Sequence, residues 1–264
     1  LASNDNYDPD RLQFDRESLR RYYINRGYAD FKVLSAVANL TPDRKSFYIN
    51  FTVDEGVRYR FGKIFVESKI RELPSETLRP LIDAQTGDIY SQEAVQKAMD
   101  ALTNSAGTKG YAFAQVHPRF KGDPKTRIVD MGFEIEQGPR VYIEKINIAG
   151  NTRTRDAVIR REFRQLESSW YDAEKIKRSK ERVDRLSYFK EITIDTNEVP
   201  GQPDQVDLLV TLEERPTGNL QVGAGYSNAE RLTLSGSIQQ DNVLGSGHYL
   251  GINLNTSRYN RTAV

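Results

Sequence analysis

Few residues in this chain of 264 have the types and the spacing that catalysis requires. Its two histidines, His117 and His248, lie far apart, and neither has a serine, a cysteine or a carboxylate at the spacing of a catalytic motif. Gly223 and Gly225 are spaced as in a phosphate-binding loop, but a predicted strand rather than a helix follows them. There is no cysteine and no metal-ligand spacing. We therefore expect no enzyme activity, no cofactor and no metal site.

Charged and aromatic side chains make a better case for binding than for catalysis. Residues 151–190 contain 12 Lys/Arg against 7 Asp/Glu, although the whole chain has a net charge of only +1. Two interpretations stay open: a solvated helix face, or a surface for anionic headgroups or an acidic partner. The small net charge gives no reason to expect nucleic-acid binding.

Sequence repeats indicate which elements position these residues. Arg26-Gly27-Tyr28-Ala29 returns as Lys109-Gly110-Tyr111-Ala112, and Lys63-Ile64-Phe65-Val66 returns as Lys145-Ile146-Asn147-Ile148, at a spacing of roughly 80 residues. A looser third copy contains Leu186-Ser187-Tyr188-Phe189. Units of this length are small complete domains rather than short solenoid repeats.

The last unit has the predicted element order β-α-α-β-β. Its elements are a strand at Val141–Ala149, a helix from the cap Thr154 to about Leu166, a helix capped by Asp172 with Ile176, Val183 and Leu186 facing inward, and strands at Phe189–Thr196 and Gln205–Glu213. The carboxylates Asp204, Asp207, Glu213 and Glu214 are predicted to lie on solvated exteriors.

The two preceding units follow the same pattern. The middle unit has a strand at Phe61–Glu67, helices capped by Ser75 and Ser91, and strands near Ala112–Phe120 and Thr126–Glu136. The first unit has a helix at Asp15–Asn25 and strands at Phe31–Asn39 and Ser46–Asp54. Because its opening strand and first helix are missing, we expect the chain to be a piece of a longer protein.

Beyond Pro216 the strands change in character. Three alternating segments, Asn219–Ser227, Leu232–Gln240 and Leu250–Asn255, have apolar residues on one face and small or uncharged polar residues on the other. Segments of about 10 residues with this pattern are typical of strands that cross a membrane in a β-barrel. The alternative is an antiparallel sheet with one face in water.

The predicted fold is therefore α+β. It consists of tandem β-α-α-β-β domains, with a partial domain at residues 1–58 and complete domains at 59–138 and 139–216. They are followed, at residues 217–264, by the first antiparallel strands of a transmembrane β-barrel. Three predicted strands cannot close a barrel, so we expect the chain to continue at this end too.

These units resemble POTRA domains, and specific motifs extend the resemblance. The run from Val199 to Asp207, the run Glu213–Gly218, the segment Gly223–Tyr226 and the turn Gln239–Gly247 are similar to the junction between the last POTRA domain and the barrel of outer-membrane assembly factors from Gram-negative bacteria. The resemblance implies that the domains are the third, fourth and fifth POTRA domains. It also implies a location in the outer membrane, with the POTRA domains in the periplasm.

The partners follow from the same resemblance. They are nascent outer-membrane proteins, accessory outer-membrane lipoproteins, and the lipid bilayer around the barrel, and the chain promotes folding and insertion without chemistry. The residues implied for lipoprotein docking are Arg160, Arg164, Glu167 and Trp170. The residues implied for client pairing are Leu220, Gln221, Val222, Gly223, Ala224, Gly225 and Tyr226.

Other functions stay open. A translocation or autotransporter-assembly relative shares the same architecture, and a structural periplasmic tether would use the domains to bind envelope components. An envelope enzyme would need His117 or His248 in a catalytic role.

Overall fold

The computed structural model describes residues 8–42, 46–227, 231–256 and 261–263. The chain divides into two compact units, one formed by residues 1–106 with 113–138 and the other by residues 107–112 with 139–264. Within the described residues, no helix has both the length and the apolar character needed to span a membrane.

The first unit begins with an incomplete α+β segment. Helix α1 (Pro9–Ile24) precedes an antiparallel pair of strands, β1 (Lys32–Leu40) and β2 (Phe47–Asp54). The helix starts earlier than the sequence predicted, because the Asp8 carboxylate accepts from the Asp10 N–H and a proline occupies the first turn.

The middle repeat follows in the same unit. Its elements are β3 (Arg60–Ser68), α2 (Ser75–Leu78) with a 3₁₀ turn at Arg79–Leu81, α3 (Gln92–Gly107), β4 (Gln115–Asp123) and β5 (Ile128–Glu136). The strand order is β3-β5-β4, with β3 parallel and β4 antiparallel to β5. The predicted β-α-α-β-β order is confirmed.

The second unit contains the last repeat and a separate sheet. The repeat consists of β6 (Tyr142–Ala149), α4 (Asp156–Arg160), α5 (Ala173–Arg185), β7 (Phe189–Val199) and β8 (Gln202–Glu214), in the strand order β6-β8-β7. The separate sheet consists of β9 (Gly218–Ser227), β10 (Arg231–Gln240), β11 (Leu250–Thr256) and β12 (Arg261–Ala263), all antiparallel and in chain order. Its fourth strand was not predicted.

The central strand of each repeat carries the core. Met131, Phe133 and Ile135 of β5 are completely buried, and Val206, Leu208 and Val210 of β8 are their counterparts. One helix of each repeat adds a fully buried side chain to the core, Leu102 of α3 or Val183 of α5. Each large apolar side chain buried in this way stabilises the fold by about 1.5–3 kcal/mol.

The first helix of each repeat is shorter than predicted. Helix α4 ends at Arg160 rather than near Leu166, and Arg155 rather than Thr154 occupies its N-cap position. Leu166 is largely exposed. The chain leaves the helix because the backbone of Arg164 and Gln165 is held instead by a buried serine of α5.

Candidate functional site

The outer edge of strand β6 is covered by its own domain. The N–H of Ile143 donates to Ser169 O over 2.9 Å, and its carbonyl accepts from the Ser168 N–H over 2.7 Å. The Tyr171 N–H donates to Val141 O over 3.0 Å. The inter-helix loop therefore occupies the first half of an edge that would otherwise offer unpaired backbone groups.

Further along this edge, the structure brings Arg160 and Glu167 together. Glu167 Oε1 accepts from the Ile146 N–H over 2.8 Å, while Arg160 Nη2 donates to Ile146 O over 2.8 Å. The two side chains also pair, with Arg160 Nη1 3.3 Å from Glu167 Oε1. A hydrogen bond to Asp156 raises the pKa of Arg160. Both predicted docking residues thus hold the strand edge as well as facing solvent, with nearly half of each side chain exposed.

Trp170 and Arg164 lie on the same loop without joining this ion pair. Trp170 is half exposed, with the Arg140 guanidinium 4.4 Å above its ring and Tyr142 edge-on at 6.1 Å. Arg164 is exposed. Among the described residues, no hydrogen bond or ion pair connects either residue to Arg160 or Glu167.

Two residues that the sequence analysis overlooked hold the loop in place. The fully buried Gln165 donates to Ser169 Oγ and to Trp170 O, and accepts from the Asp172 N–H. The fully buried Ser179 accepts from the N–H groups of Arg164 and Gln165 and donates to a carbonyl of its own helix. The sequence did contain a signal for Ser179, because this polar residue lies within the apolar stripe of α5.

The predicted client-pairing residues all lie in β9, which forms one edge of the four-stranded sheet. Gly223 is opposite Ser235, and Gly225 is opposite Thr233. The two hydroxyls donate to the carbonyls of the facing glycines over 3.4 and 3.1 Å. A Cβ atom added at Gly223 would lie 2.7 Å from Ser235 Oγ, so these glycines allow close approach by β10.

The register aligns the apolar residues of this sheet on one face. Leu220 is opposite Ile238, which is opposite Ile252, and Val222 shares this face. The face is exposed, with Val222 83% accessible. Its other exposed large side chains are Tyr226, Leu232, Leu234, Leu250 and Leu254.

The joint between the last repeat and this sheet contains a carboxylate whose role was predicted wrongly. Glu214 is half buried, and its oxygens accept from the N–H groups of Arg153 and Thr154 and from the Thr152 hydroxyl, over 2.7–2.9 Å. Burial acts to raise its pKa, but these hydrogen bonds outweigh burial and lower it. Asp207 also has a structural role, since it accepts from the Lys145 N–H over 3.0 Å.

The turn between β10 and β11 docks on the last repeat. Asn242 is buried, and its Nδ2 donates to Thr154 Oγ1 over 2.8 Å. The Tyr188 hydroxyl donates to Asp241 O over 3.0 Å, and the Arg155 N–H donates to Gly245 O over 3.0 Å. These bonds hold the turn against the domain, and the sequence could not predict them because they join residues 53 to 90 positions apart.

The histidines have neighbours that the sequence did not predict. His117 Nε2 lies 3.7 Å from Glu136 Oε2 across an exposed strand pair, and His248 Nδ1 lies 2.8 Å from Ser246 Oγ. The Ser246 hydroxyl donates to Val243 O over 2.6 Å, so its proton stabilises the turn. No group of three or more potential metal ligands occurs in the part of the chain that the structure describes.

The repeats match a known family. The model of the POTRA family, described as a surface antigen variable number repeat, matches residues 1–56, 59–138 and 141–215. The chain therefore belongs to the POTRA family, as the order of its elements predicted.

Particular relatives carry the name outer membrane protein assembly factor BamA. The chain is 34% identical to that of Neisseria meningitidis serogroup B over 98% of this chain and 32% of the relative, and 30% identical to that of Neorickettsia risticii over 94% and 33%. It thus spans about a third of the length of these relatives. The predicted resemblance to outer-membrane assembly factors is confirmed.

Two solved structures have the same fold. A crystal structure of Haemophilus influenzae BamA POTRA3-5 has a TM-score of 0.72 at 24% identity, covering 81% of this chain and 84% of that one. A crystal structure of BamA from Haemophilus ducreyi lacking POTRA domains 1-3 has a TM-score of 0.64 at 28% identity, covering 75% and 37%.

Proposed function

We propose that this chain is the part of an outer-membrane assembly factor that joins its periplasmic POTRA domains to its membrane β-barrel. Residues 217–264 are its first barrel strands, and the three repeats are the third to fifth POTRA domains. The protein binds nascent outer-membrane proteins and accessory lipoproteins, and promotes folding and insertion into the outer membrane.

The main observation that supports this proposal is the exposed apolar face of the β9–β12 sheet. Its register keeps apolar side chains on one face and Gln221, Ser237 and Asn253 on the other. Lipid would cover the apolar face at a gain of about 25 cal/mol per Å² of apolar surface. The sheet follows a POTRA domain after only a short linker, which suits a barrel that begins at the periplasmic side.

Strand β9 is the proposed client-pairing edge. Its outer N–H and C=O groups can add a client strand through main-chain hydrogen bonds, which require little of the client sequence. That tolerance suits a protein with many different clients. Insertion then needs no nucleotide, because lipid burial and backbone pairing stabilise the product.

The loop surface formed by Arg160, Arg164, Glu167 and Trp170 is the proposed lipoprotein-docking site. It combines an exposed ion pair with a half-exposed aromatic ring. Charge reversal at Glu167 should weaken co-purification of the lipoprotein. Arg164→Glu tests docking with less effect on the fold, because the Arg164 side chain forms no described bond within the domain. Undiminished co-purification with both variants would remove this docking site.

Depletion of the full-length protein in its host tests the function as a whole. We expect the levels of many unrelated outer-membrane barrel proteins to fall together, as measured by quantitative proteomics of the outer membrane. An unchanged set of barrel proteins would instead favour the structural tether, and loss of a single secreted class would favour the translocation relative.

A further inference from the structure

The two complete repeats differ on the inner side of the loop between their helices. Both repeats make the same three loop hydrogen bonds to their opening strand, and the loop residues are 81 positions apart. This spacing aligns the helix–loop–helix segments residue by residue. Four aligned pairs place an apolar side chain in the middle repeat where the last repeat has a polar one: Leu81 with Glu162, Ala84 with Gln165, Ala98 with Ser179, and Ala101 with Arg182.

In the last repeat these four side chains fill the space beneath the loop. Gln165 and Ser179 are fully buried and bind the loop backbone. Arg182 Nη2 lies 2.7 Å from Glu162 Oε2. The domain therefore occupies this space with polar groups that bind the loop backbone or pair with each other, although Arg182 Nε has no hydrogen-bond partner among the residues that the structure describes.

In the middle repeat the same space is an open cleft. Its volume is about 380 Å³, and its lining includes Phe61, Leu81, Ala84, Ile89, Ala98 and Ala101. All three aligned alanines are in this lining. Leu81 and Ile89 are each about 40% exposed, so apolar surface is open to a ligand.

Two backbone donors in the cleft lack the acceptor that their counterparts have. In the last repeat, Ser179 Oγ accepts from the N–H groups of Arg164 and Gln165 over 2.8 and 3.3 Å. The aligned donors are the N–H groups of Asp83 and Ala84, and Ala98 offers them no hydroxyl. Neither donates to any residue that the structure describes, and Ala84 is buried. A bound group with an acceptor oxygen would satisfy them.

The rim of the cleft is acidic. Asp83, Asp88 and Glu93 line it, with Lys97 as the one cation among its described lining residues. Lys97 already pairs with Glu93 at 3.1 Å. The two aspartates therefore favour a cationic group on the ligand.

We propose that this cleft binds an extended segment of a partner polypeptide in which an aliphatic side chain stands next to a lysine or arginine. The aliphatic side chain packs against Leu81, Ala98 and Ala101. A main-chain carbonyl of the segment accepts from the Asp83 and Ala84 N–H groups, and the cation faces Asp83 and Asp88. The site is separate from the sheet edges and stands whether or not the protein assembles membrane barrels.

The test uses the full chain in detergent and two synthetic pentapeptides, acetylated and amidated at their ends, with the sequences Ala-Lys-Leu-Ala-Ala and Ala-Glu-Leu-Ala-Ala. The readout is the NMR shift of the Asp83 and Ala84 amide protons. We expect saturable downfield shifts of both with the lysine peptide, and roughly fivefold weaker binding of the glutamate peptide because of the acidic rim. Equal affinities, or no shift of these two amides, would overturn the proposal.

A filled variant gives a second test. Leu81→Glu, Ala84→Gln, Ala98→Ser and Ala101→Arg together copy the groups that occupy this space in the last repeat, and should abolish the peptide-induced shifts while the amide spectrum stays dispersed. Thr103→Arg is the matched control, since it adds a cation at an exposed position of the same helix, and it should retain binding. If the fourfold variant does not fold, Ala98→Ser alone supplies the acceptor and should weaken binding. If the fourfold variant folds and still binds the lysine peptide fully, the proposed cleft is refuted. If it does not fold, full binding by Ala98→Ser refutes the proposed cleft.

Discussion

Comparison of the repeats separates the roles of Arg160 and Glu167. Arg79 of the middle repeat donates to Ile64 O over 3.2 Å, just as Arg160 donates to Ile146 O. The arginine is therefore part of the shared domain architecture. Glu167 is particular to the last repeat, because the residue aligned with it is Thr86. The Thr86 hydroxyl donates to Gly62 O, whereas Glu167 accepts from the Ile146 N–H. Glu167 is the more specific candidate for partner recognition.

Substitution of Glu167 should cost stability as well as binding. Glu167→Ala removes the acceptor of the Ile146 N–H, and we expect it to lower the free energy of unfolding by about 1–3 kcal/mol. Glu167→Gln keeps an acceptor oxygen and should cost less. Urea unfolding of the two variants beside the parent chain measures both effects, and equal losses would show that the N–H bond contributes nothing.

The Glu214 carboxylate, at the joint between the last repeat and the β9–β12 sheet, should make the stability of the fold depend on pH. The pKa of Glu214 is lower in the folded chain than its ordinary value near 4.5, so its ionised form stabilises the fold. This contribution is complete above the ordinary pKa and is lost as the pH falls through the lower, folded value. We expect Glu214→Gln to be less stable than the parent at pH 6 and closer to it at pH 3, in urea unfolding. A difference that does not depend on pH would contradict this role.

At the scale of the elements, strand alternation predicted more than helix caps or helix lengths did. The predicted caps Thr154 and Ser75 are wrong, because Arg155 and Pro74 occupy those N-cap positions. The Asp172 cap is confirmed, since its carboxylate accepts from the Glu174 and Lys175 N–H groups, and the strands of both repeats lie within a few residues of their predicted bounds.

The end of α4 was missed because apolar spacing continues through Phe163, whereas the i→i−4 backbone bonds of the helix give way to i→i−3 bonds at Glu162 and Phe163. Hydrogen bonds to Gln165 and Ser179 end the helix, and periodicity carries no information about them.

The glycines of β9 allow a prediction about its pairing. Gly223→Val with Gly225→Val places side chains against Ser235 and Thr233, so we expect it to weaken the β9–β10 pair and to slow insertion of a barrel client by the full-length protein into liposomes. Gly236→Val in β10 is the matched control, because a Cβ there meets nothing within 4 Å. Normal insertion by the double variant would count against a role for this strand.

The docked turn can be tested in the same way. Asn242→Ala leaves Thr154 Oγ1 and the Gly247 N–H without their partner, at a cost of about 1–3 kcal/mol. Gly245→Ala should be worse, because its Cβ would lie 1.9 Å from Arg153 O. Hydrogen exchange at the Arg155 amide, which donates to Gly245 O, should accelerate in both variants. Gly201→Ala is a control at an open turn with a similarly positive φ, and should leave that amide protected.

At the scale of the whole molecule, the sequence predicted the repeated domains and the change in strand type, because both leave periodic patterns. It could not predict the joint. Glu214 and Asn242 contact residues about 60 and 88 positions away, and such contacts leave no local signature. The four-residue difference beneath the loops was visible in the sequence, but only the hydrogen bonds gave the alignment that exposes it.

The open cleft of the middle repeat has a consequence for how tandem domains acquire new roles. Arg79 also donates to Ile82 O and Ala84 O, so this loop is held by hydrogen bonds from Arg79, although three alanines stand beneath it where the last repeat has Gln165, Ser179 and Arg182. The domain therefore keeps its fold although its own side chains leave this space open. In a tandem array, one copy can therefore hold a binding cleft that its neighbour fills, because hydrogen bonds from Arg79 hold the loop without occupying the space beneath it.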